Sequence, residues 1–382
     1  MTDSIERAAR LRAYLSADPG NVLLACDLVD ALFSTGSHAE ADALIATLPE
    51  PSQAAPGIRF RRARCALVLG HYAEAAGLLR LLIDEGQENV ALWHDLAFCQ
   101  LCLRQTAEAG NTINEAQTRF GSNAELAIVR ARVALMDGDF ARAQAALDEA
   151  LALAPEHSTA LGLRALALLD SGMIDEAYAT AEACLTLYPD QHEALIVAGT
   201  VALWKQDLER ADVCHQRALG RHPNSGRALS GYGQLKMLRN DLPAAREQLV
   251  HAVVAMPDHI GTWHALAWTD LLLGDIDAAQ ASYQQAFELD RNFADSHGGL
   301  ALIHALRGRA DDADQAIKRA LRLNPQCATA LYARSLLLSD SGRDDEADQL
   351  LSTLMAQSPM PMNTSIREFA QNLRARFAGK GS

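Results

Sequence analysis

The sequence predicts an all-α fold, an α-solenoid of stacked helix pairs with a capping helix at each end. Three observations predict it. Ala (71) and Leu (57) make up a third of the 382 residues, aromatics only 5%, and β-branched residues are sparse, which favours helix over strand. Seven of the twelve prolines lie on one 34-residue grid: Pro19, Pro155, Pro189, Pro223, Pro257, Pro325 and Pro359. Twelve residues before the grid positions stand Ala41, Ala75, Ala109, Ala143, Ala177, Ala211, Ala245, Ala279, Ala313 and Ala347. At the chain's own Ala frequency, ten in ten arises by chance on the order of 10⁻⁷.

The grid divides residues 22–361 into ten units that start at Val22, Pro56, Val90, Ala124, Ser158, His192, Gly226, Ile260, Ala294 and Ala328. The eighth position is small in nine of them (Ala63, Ala97, Ala131, Ala165, Gly199, Gly233, Ala267, Ala301 and Ser335), with Val29 the exception. The fifteenth is Gly in seven. Each unit therefore reads as a helix of about 14 residues, a turn at the Gly, and a second helix that ends near the Pro. Small residues at positions eight and twenty let the two helices approach closely. Leu147, Leu249, Tyr283 and Ile317 fill the remaining space. One pair cannot bury its own apolar stripe, so neighbours must stack.

The ends fit the same plan. Residues 1–21 read as an N-terminal capping helix over Ile5–Ser16, stopped at Pro19. Residues 362–382 read as a C-terminal capping helix, amphipathic through Ile366, Phe369, Leu373 and Phe377, and a tail. That last helix could close the array or join two copies of the chain as a homodimer. Pro49-Glu50-Pro51-Ser52-Gln53-Ala54-Ala55-Pro56 should truncate the second helix of the first unit and could act as a hinge.

These positions resemble the tetratricopeptide repeat family over nearly the whole chain. The eighth unit fits that pattern best, with Trp263, Leu266, Ala267, Ala279, Tyr283 and Ala286, and units one to three fit least well. The resemblance implies a right-handed superhelix whose first helices line a concave face. It also exposes a departure: Arg62, Arg130, Arg164 and Arg334 stand where the family has Leu at position seven. Their stems are expected to snorkel, with the tips at helix carbonyls or acidic neighbours.

Composition and motifs exclude several functions. The formal net charge is −14, and only four of the 34 basic residues are Lys, so a nucleic-acid partner is not expected. No apolar run reaches the ~18 residues of a membrane span, so none is expected. Leu23-Leu24-Ala25-Cys26 imitates a lipoprotein cleavage box, but Ala17-Asp18-Pro19-Gly20-Asn21 occupies the place of its apolar run. Seven Cys without framework spacing suit a reducing cytoplasm. No HExxH, phosphate-cradling Gly-rich loop or G-x-S-x-G occurs, and no catalytic residue, metal site or cofactor is expected. His157 and His259 share an inter-repeat turn position and read as solvated turn residues. Cys99-Gln100-Leu101-Cys102 lies inside a first helix with nothing nearby to complete a zinc site. It reads as buried small residues, with a redox or metal-dependent enzyme as the weaker alternative. Only about 20 residues follow the array, so no catalytic or DNA-binding domain is expected there.

The concave face implied by the resemblance comprises positions two, five, nine, twelve and thirteen of each first helix, with six at the margin. Read along the chain, it is ionic at first and then apolar. The candidate groove residues are Arg61, Arg64, His94, Phe98, Arg132, Leu166, Ile196, Trp204, His264, Trp268, Leu302 and Tyr332. Trp204, Trp268 and Arg64 are the expected anchors, because aromatics and Arg dominate interface energetics. Position twelve, apolar in nine of ten units, could instead pack between adjacent first helices. The carboxylate clamp of some family members is absent, since its position-five and position-nine pairs read Cys26/Asp30, Phe60/Arg64, His94/Phe98 and Ile128/Arg132. So is the position-six Asn ladder of members fused to glycosyl transfer. The expected function is a protein–protein interaction scaffold that holds a peptide or protein segment in the groove. The alternative is a peptide-signal receptor or secretion-type chaperone.

Overall fold

A computed structural model describes residues 2–357, with side chains over 6–354. A solitary helix, α1 (Thr2–Ala17), is followed by α2 (Val22–Ser34), α3 (His38–Thr47) and the single-turn α4 (Glu50–Gln53). Three pairs come next: α5 (Pro56–Val68) with α6 (Tyr72–Asp84), α7 (Val90–Cys102) with α8 (Thr106–Phe120), and α9 (Ala124–Met136) with α10 (Phe140–Leu153). Then follow α11 (Ser158–Asp170), α12 (Ile174–Leu187), α13 (His192–Trp204), α14 (Leu208–Arg221), α15 (Gly226–Leu238) and α16 (Leu242–Ala255). The described residues end with α17 (Ile260–Leu273), α18 (Ile276–Leu289), α19 (Ala294–Leu306), α20 (Ala310–Leu323), α21 (Ala328–Asp340) and α22 (Asp344–Gln357). No strand occurs among the described residues, and the fold is an all-α solenoid of helix pairs. The expected C-terminal capping helix at 362–382 lies outside the described residues.

The chain forms two compact units, Met1–Thr180 and Ala181–Ser382. In the N-terminal unit, α1 covers α2 and a core of Leu28, Val29, Ile45 and Ile58. A second core there gathers Leu79, Trp93, Leu96, Cys99, Ile113 and Leu126 between α5 and α9. In the C-terminal unit one cluster joins Leu271, Tyr283, Leu302, Ile317, Tyr332 and Leu336.

Local sequence explains each turn. The seven glycines at position fifteen, from Gly36 to Gly342, all take positive φ. The three units without that Gly place Arg104, Gln206 and Asn240 there, each at φ 60°. The turn geometry therefore prevails over side-chain preference, at a cost of about 1–2 kcal/mol per residue. Asp139, Asp207, Asp241 and Asp275, each one residue further on, cap the second helix by accepting the backbone N–H three residues ahead. The Pro-rich segment shortens α3 to ten residues, leaves Leu48 extended and starts α5 with Pro56 at its first turn.

Nine of the ten position-twenty alanines have no exposed surface, and Ala347 has 4%. On the same helix face, position twenty-four carries a larger residue in nine of the ten units, Ala181 being the exception. The ring-bearing versions need extra room, and glycine supplies it. A Cβ on Gly299 would come 2.2 Å from the Tyr283 ring, and one on Gly231 or Gly199 would come 2.3 or 2.8 Å from the His215 ring. His215 is fully buried, and among the described residues neither ring nitrogen has a hydrogen-bond partner. Burial pushes its pKa down from 6.5 to about 4, against a weaker upward pull from Asp212. Three of the four Arg at position seven reach acidic neighbours on second helices: Arg62 with Glu74 at 3.1 Å, Arg164 with Asp148 at 3.5 Å, and Arg130 with Glu149.

Two predictions follow from this packing. Gln206→Gly relieves the left-handed backbone and should raise the thermal midpoint, by a gain of about 0.5–1 kcal/mol in a calorimetric or dichroism melt. Below pH 6.5 the unfolded chain takes up a proton that folded His215 refuses until about pH 4, so this contribution to stability is lost as pH falls through that window. Urea titrations of the parent and His215→Leu between neutral pH and pH 4 should differ in their pH slope, the parent losing roughly 3 kcal/mol more.

Candidate functional site

Helix α5 is chemically unlike the rest of the chain. Its sequence PGIRFRRARCALV holds four Arg and no acid, within a protein of net charge −14. Three of the four are engaged by carboxylates. Arg59 donates to Glu85 at 2.7 Å, and Arg62 pairs with Glu74. Arg61 grips Asp30 of α2 with two N–H groups, one at 2.9 Å, and donates to the Gly57 carbonyl at 3.0 Å. The fourth, Arg64, is exposed and has no carboxylate partner among the described residues. Its guanidinium carbon lies 5.2 Å from the Phe33 ring centre and 6.0 Å from that of Phe60.

Helical spacing accounts for this grouping. Phe60 and Arg64 are four apart on α5, Asp30 and Phe33 three apart on α2, and the two helices pack together. With Arg61 and Asn89 these side chains line an open cavity of about 440 Å³. Asn89 caps α7: its side-chain oxygen accepts the Ala91 N–H at 3.0 Å, which leaves the NH₂ directed elsewhere.

The other predicted groove residues of the N-terminal unit divide. His94 pairs with Asp95 at 2.8 Å, and Phe98 and Arg132 are half-buried. Leu166 is buried at 7% exposure. In the C-terminal unit Trp204, the last residue of an otherwise buried helix, is 55% exposed. Trp268 is half-buried, 6.5 Å from the Tyr332 ring and packed on its core cluster. His264 is half-buried, with Nε2 2.9 Å from Ser296 Oγ, and burial pushes its pKa down.

Six of the residues singled out in the sequence are buried or hydrogen-bonded. Leu166, Ile196, Leu302 and Tyr332 are core residues with 0–7% exposure and present no apolar floor to a ligand. For Leu302 and Tyr332 the reason is direct, since α19 packs against α21 and both side chains sit in the cluster between them. His157 and His259 are also more than solvated turn residues. His157 Nε2 lies 3.0 Å from a Glu125 oxygen, and His259 caps α17 by accepting the Thr262 N–H at 3.2 Å. Asp30, Phe33 and Phe60 were legible as groove positions but not as one cavity. Asn89 lies just before its unit, and its only signal was that of a helix cap.

Burial disfavours the thiolate at both cysteines of the CxxC. Cys99 is fully buried, and burial pushes its pKa up to about 12. Cys102 is half-buried, hydrogen-bonded with Tyr72, and also raised by burial. Burial pushes Cys65, one unit earlier, up to about 11. All seven cysteines are free thiols. Among the described residues no group of three or more His, Cys, Asp or Glu could hold a metal ion, and no helix is long and apolar enough to cross a membrane.

Residues 128–192 and 307–359 match one tetratricopeptide repeat family model, and residues 260–293 match a second. The chain is a tetratricopeptide repeat protein. No curated protein sequence matches it. A structural similarity, 15% identical with a TM-score of 0.47, covers 98% of this chain and 93% of a chain in the crystal structure of the APC/C hetero-tetramer Cut9-Hcn1. The matched repeats include the turns at Gly138, Gly172, Gly274, Gly308 and Gly342.

The thiol chemistry of this repeat protein can be tested directly. In the native fold at neutral pH, iodoacetamide should leave Cys65, Cys99, Cys184, Cys214 and Cys327 unmodified by mass spectrometry, and in denaturant it should modify all seven cysteines. Rapid native labelling of Cys99 would contradict its burial.

Proposed function

We propose that the chain is a non-enzymatic interaction scaffold that holds a segment of another protein against the first helices of its repeats. The division into ten units over 22–361, with capping segments at 1–21 and 362–382, belongs to this reading. So does a cytoplasmic setting, which seven free thiols support. The observation that carries the proposal is the 440 Å³ cavity on α2 and α5, where two Phe rings and a cation without a carboxylate partner converge on solvent. Fold stability does not call for that convergence. Repeat packing satisfies the other three Arg of α5, and close helix approach is supplied by the buried alanines.

Trp204 supports the same reading in the C-terminal unit. It is the exposed end of a helix whose residues from Glu193 to Val201 are nearly all buried, and an exposed indole is a strong interface anchor. The upward push of burial on Cys99 and Cys102 weighs against the redox alternative.

The test is retention of partners from the protein's own cell extract on the immobilised full chain, with parent, Arg64→Gln and Trp204→Ala compared and circular dichroism confirming that all three fold. A partner held by the parent should be weakened at least ~10-fold by one of the two substitutions, in line with the loss of an interface anchor. Partners held equally by all three would move binding off the first helices. No specifically retained protein would remove the scaffold reading.

A further inference from the structure

We propose that the α2–α5 cavity is a subsite for a single Asp or Glu side chain of a bound peptide segment, with Phe33 and Phe60 receiving the apolar residue beside it. This rests on the scaffold reading and deepens it by naming the chemistry that the segment must carry.

The argument starts from charge allocation. On α5, within a chain of net charge −14, carboxylates engage Arg59, Arg61 and Arg62. Arg64 is the exception on that helix, and it lines the cavity. Its guanidinium lies over two aromatic rings, and a stacked guanidinium keeps its in-plane N–H donors available. Those donors match a carboxylate bidentately. The Asn89 amide, whose oxygen is engaged in capping α7, adds an N–H₂ on the same wall.

The remaining wall sets the selectivity. Asp30 also lines the cavity, and its charge is held in place by Arg61. A group with one negative charge can take Arg64 and stay clear of Asp30. A phosphate or a nucleic-acid strand brings more charge and meets repulsion from Asp30 as well as from the acidic chain. The apolar faces of Phe33 and Phe60 favour a segment with a hydrophobic side chain next to the acid. Because the cavity is open to solvent, that segment can continue past it, which favours an internal side chain over a chain terminus.

The experiment uses arrays of short synthetic peptides, acetylated and amidated at their ends. A central Asp or Glu stands beside Leu, Phe or Trp, and each member is paired with its Asn or Gln counterpart and with a phosphoserine version. The full-length parent, Arg64→Gln and Arg62→Gln are applied, with circular dichroism confirming that each folds. Arg62→Gln removes the same charge from the same helix without touching the cavity. The parent and Arg62→Gln should bind a subset of acidic members about tenfold better than the amide counterparts, and Arg64→Gln should bind the two alike. Equal binding of acid and amide by the parent, a preference that survives Arg64→Gln, stronger binding of phosphoserine members, or an array with no binding at all would each overturn the proposal. Retention of an extract partner alongside any of these results leaves the scaffold reading standing, and loss of both removes the two together.

Discussion

Close helix approach at the small residues is the constraint on which the rest of the structure depends. Position twenty is Ala in all ten units and is almost wholly buried, and position eight is small in nine. A larger side chain at either place would push the paired helices apart and open the layer to water. Overpacking of that kind costs about 1–3 kcal/mol at a single site. In a stack of nearest-neighbour layers, the cost is also passed to both adjoining interfaces. The high Ala content of the chain is thus a geometric requirement before it is a matter of helix propensity.

The close approach leaves one variable volume per layer, at position twenty-four, and the neighbouring residues adjust to it. Where that residue is Leu249, the same unit carries Gly233 at position eight, and an added Cβ there would come 2.7 Å from the Leu249 side chain. Where it is Tyr283 or His215, the next unit carries Gly299 or Gly231. Substitution at twenty-four is therefore coupled to backbone positions in two units. His215 shows what the coupling tolerates: a polar ring with neither nitrogen hydrogen-bonded among the described residues, held neutral by burial at a site where other layers use Leu or Ile.

Helix-pair packing was legible in the sequence because it acts on the backbone and leaves a periodic mark in Ala, Gly and Pro. The binding face was less legible, because helical position tells which way a side chain points and not what covers it. Leu302 and Tyr332 occupy the same kind of positions as Arg64 and His94, yet α19 and α21 close over them. Arg104, Gln206 and Asn240 were illegible for a different reason. Nothing local marks them for a left-handed backbone, and only the turn demanded by their neighbours puts them there. Asn89 has a sequence role of its own as a cap, which masks its second position on the cavity wall.

The contrast between Arg61 and Arg64 carries the argument from fold to function. Both stand on α5, both face α2, and both line the same cavity. Arg61 is bound at two N–H groups by Asp30 and at a third by Gly57, so its donors are largely consumed by the repeat interface. Arg64 rests on rings, which hold the side chain in place without consuming its in-plane hydrogen-bonding capacity. A purely structural cation gains most from a carboxylate, as the three other Arg of α5 show. One that is positioned by aromatic faces keeps its strongest interaction open, and an anionic group brought by a partner can complete it.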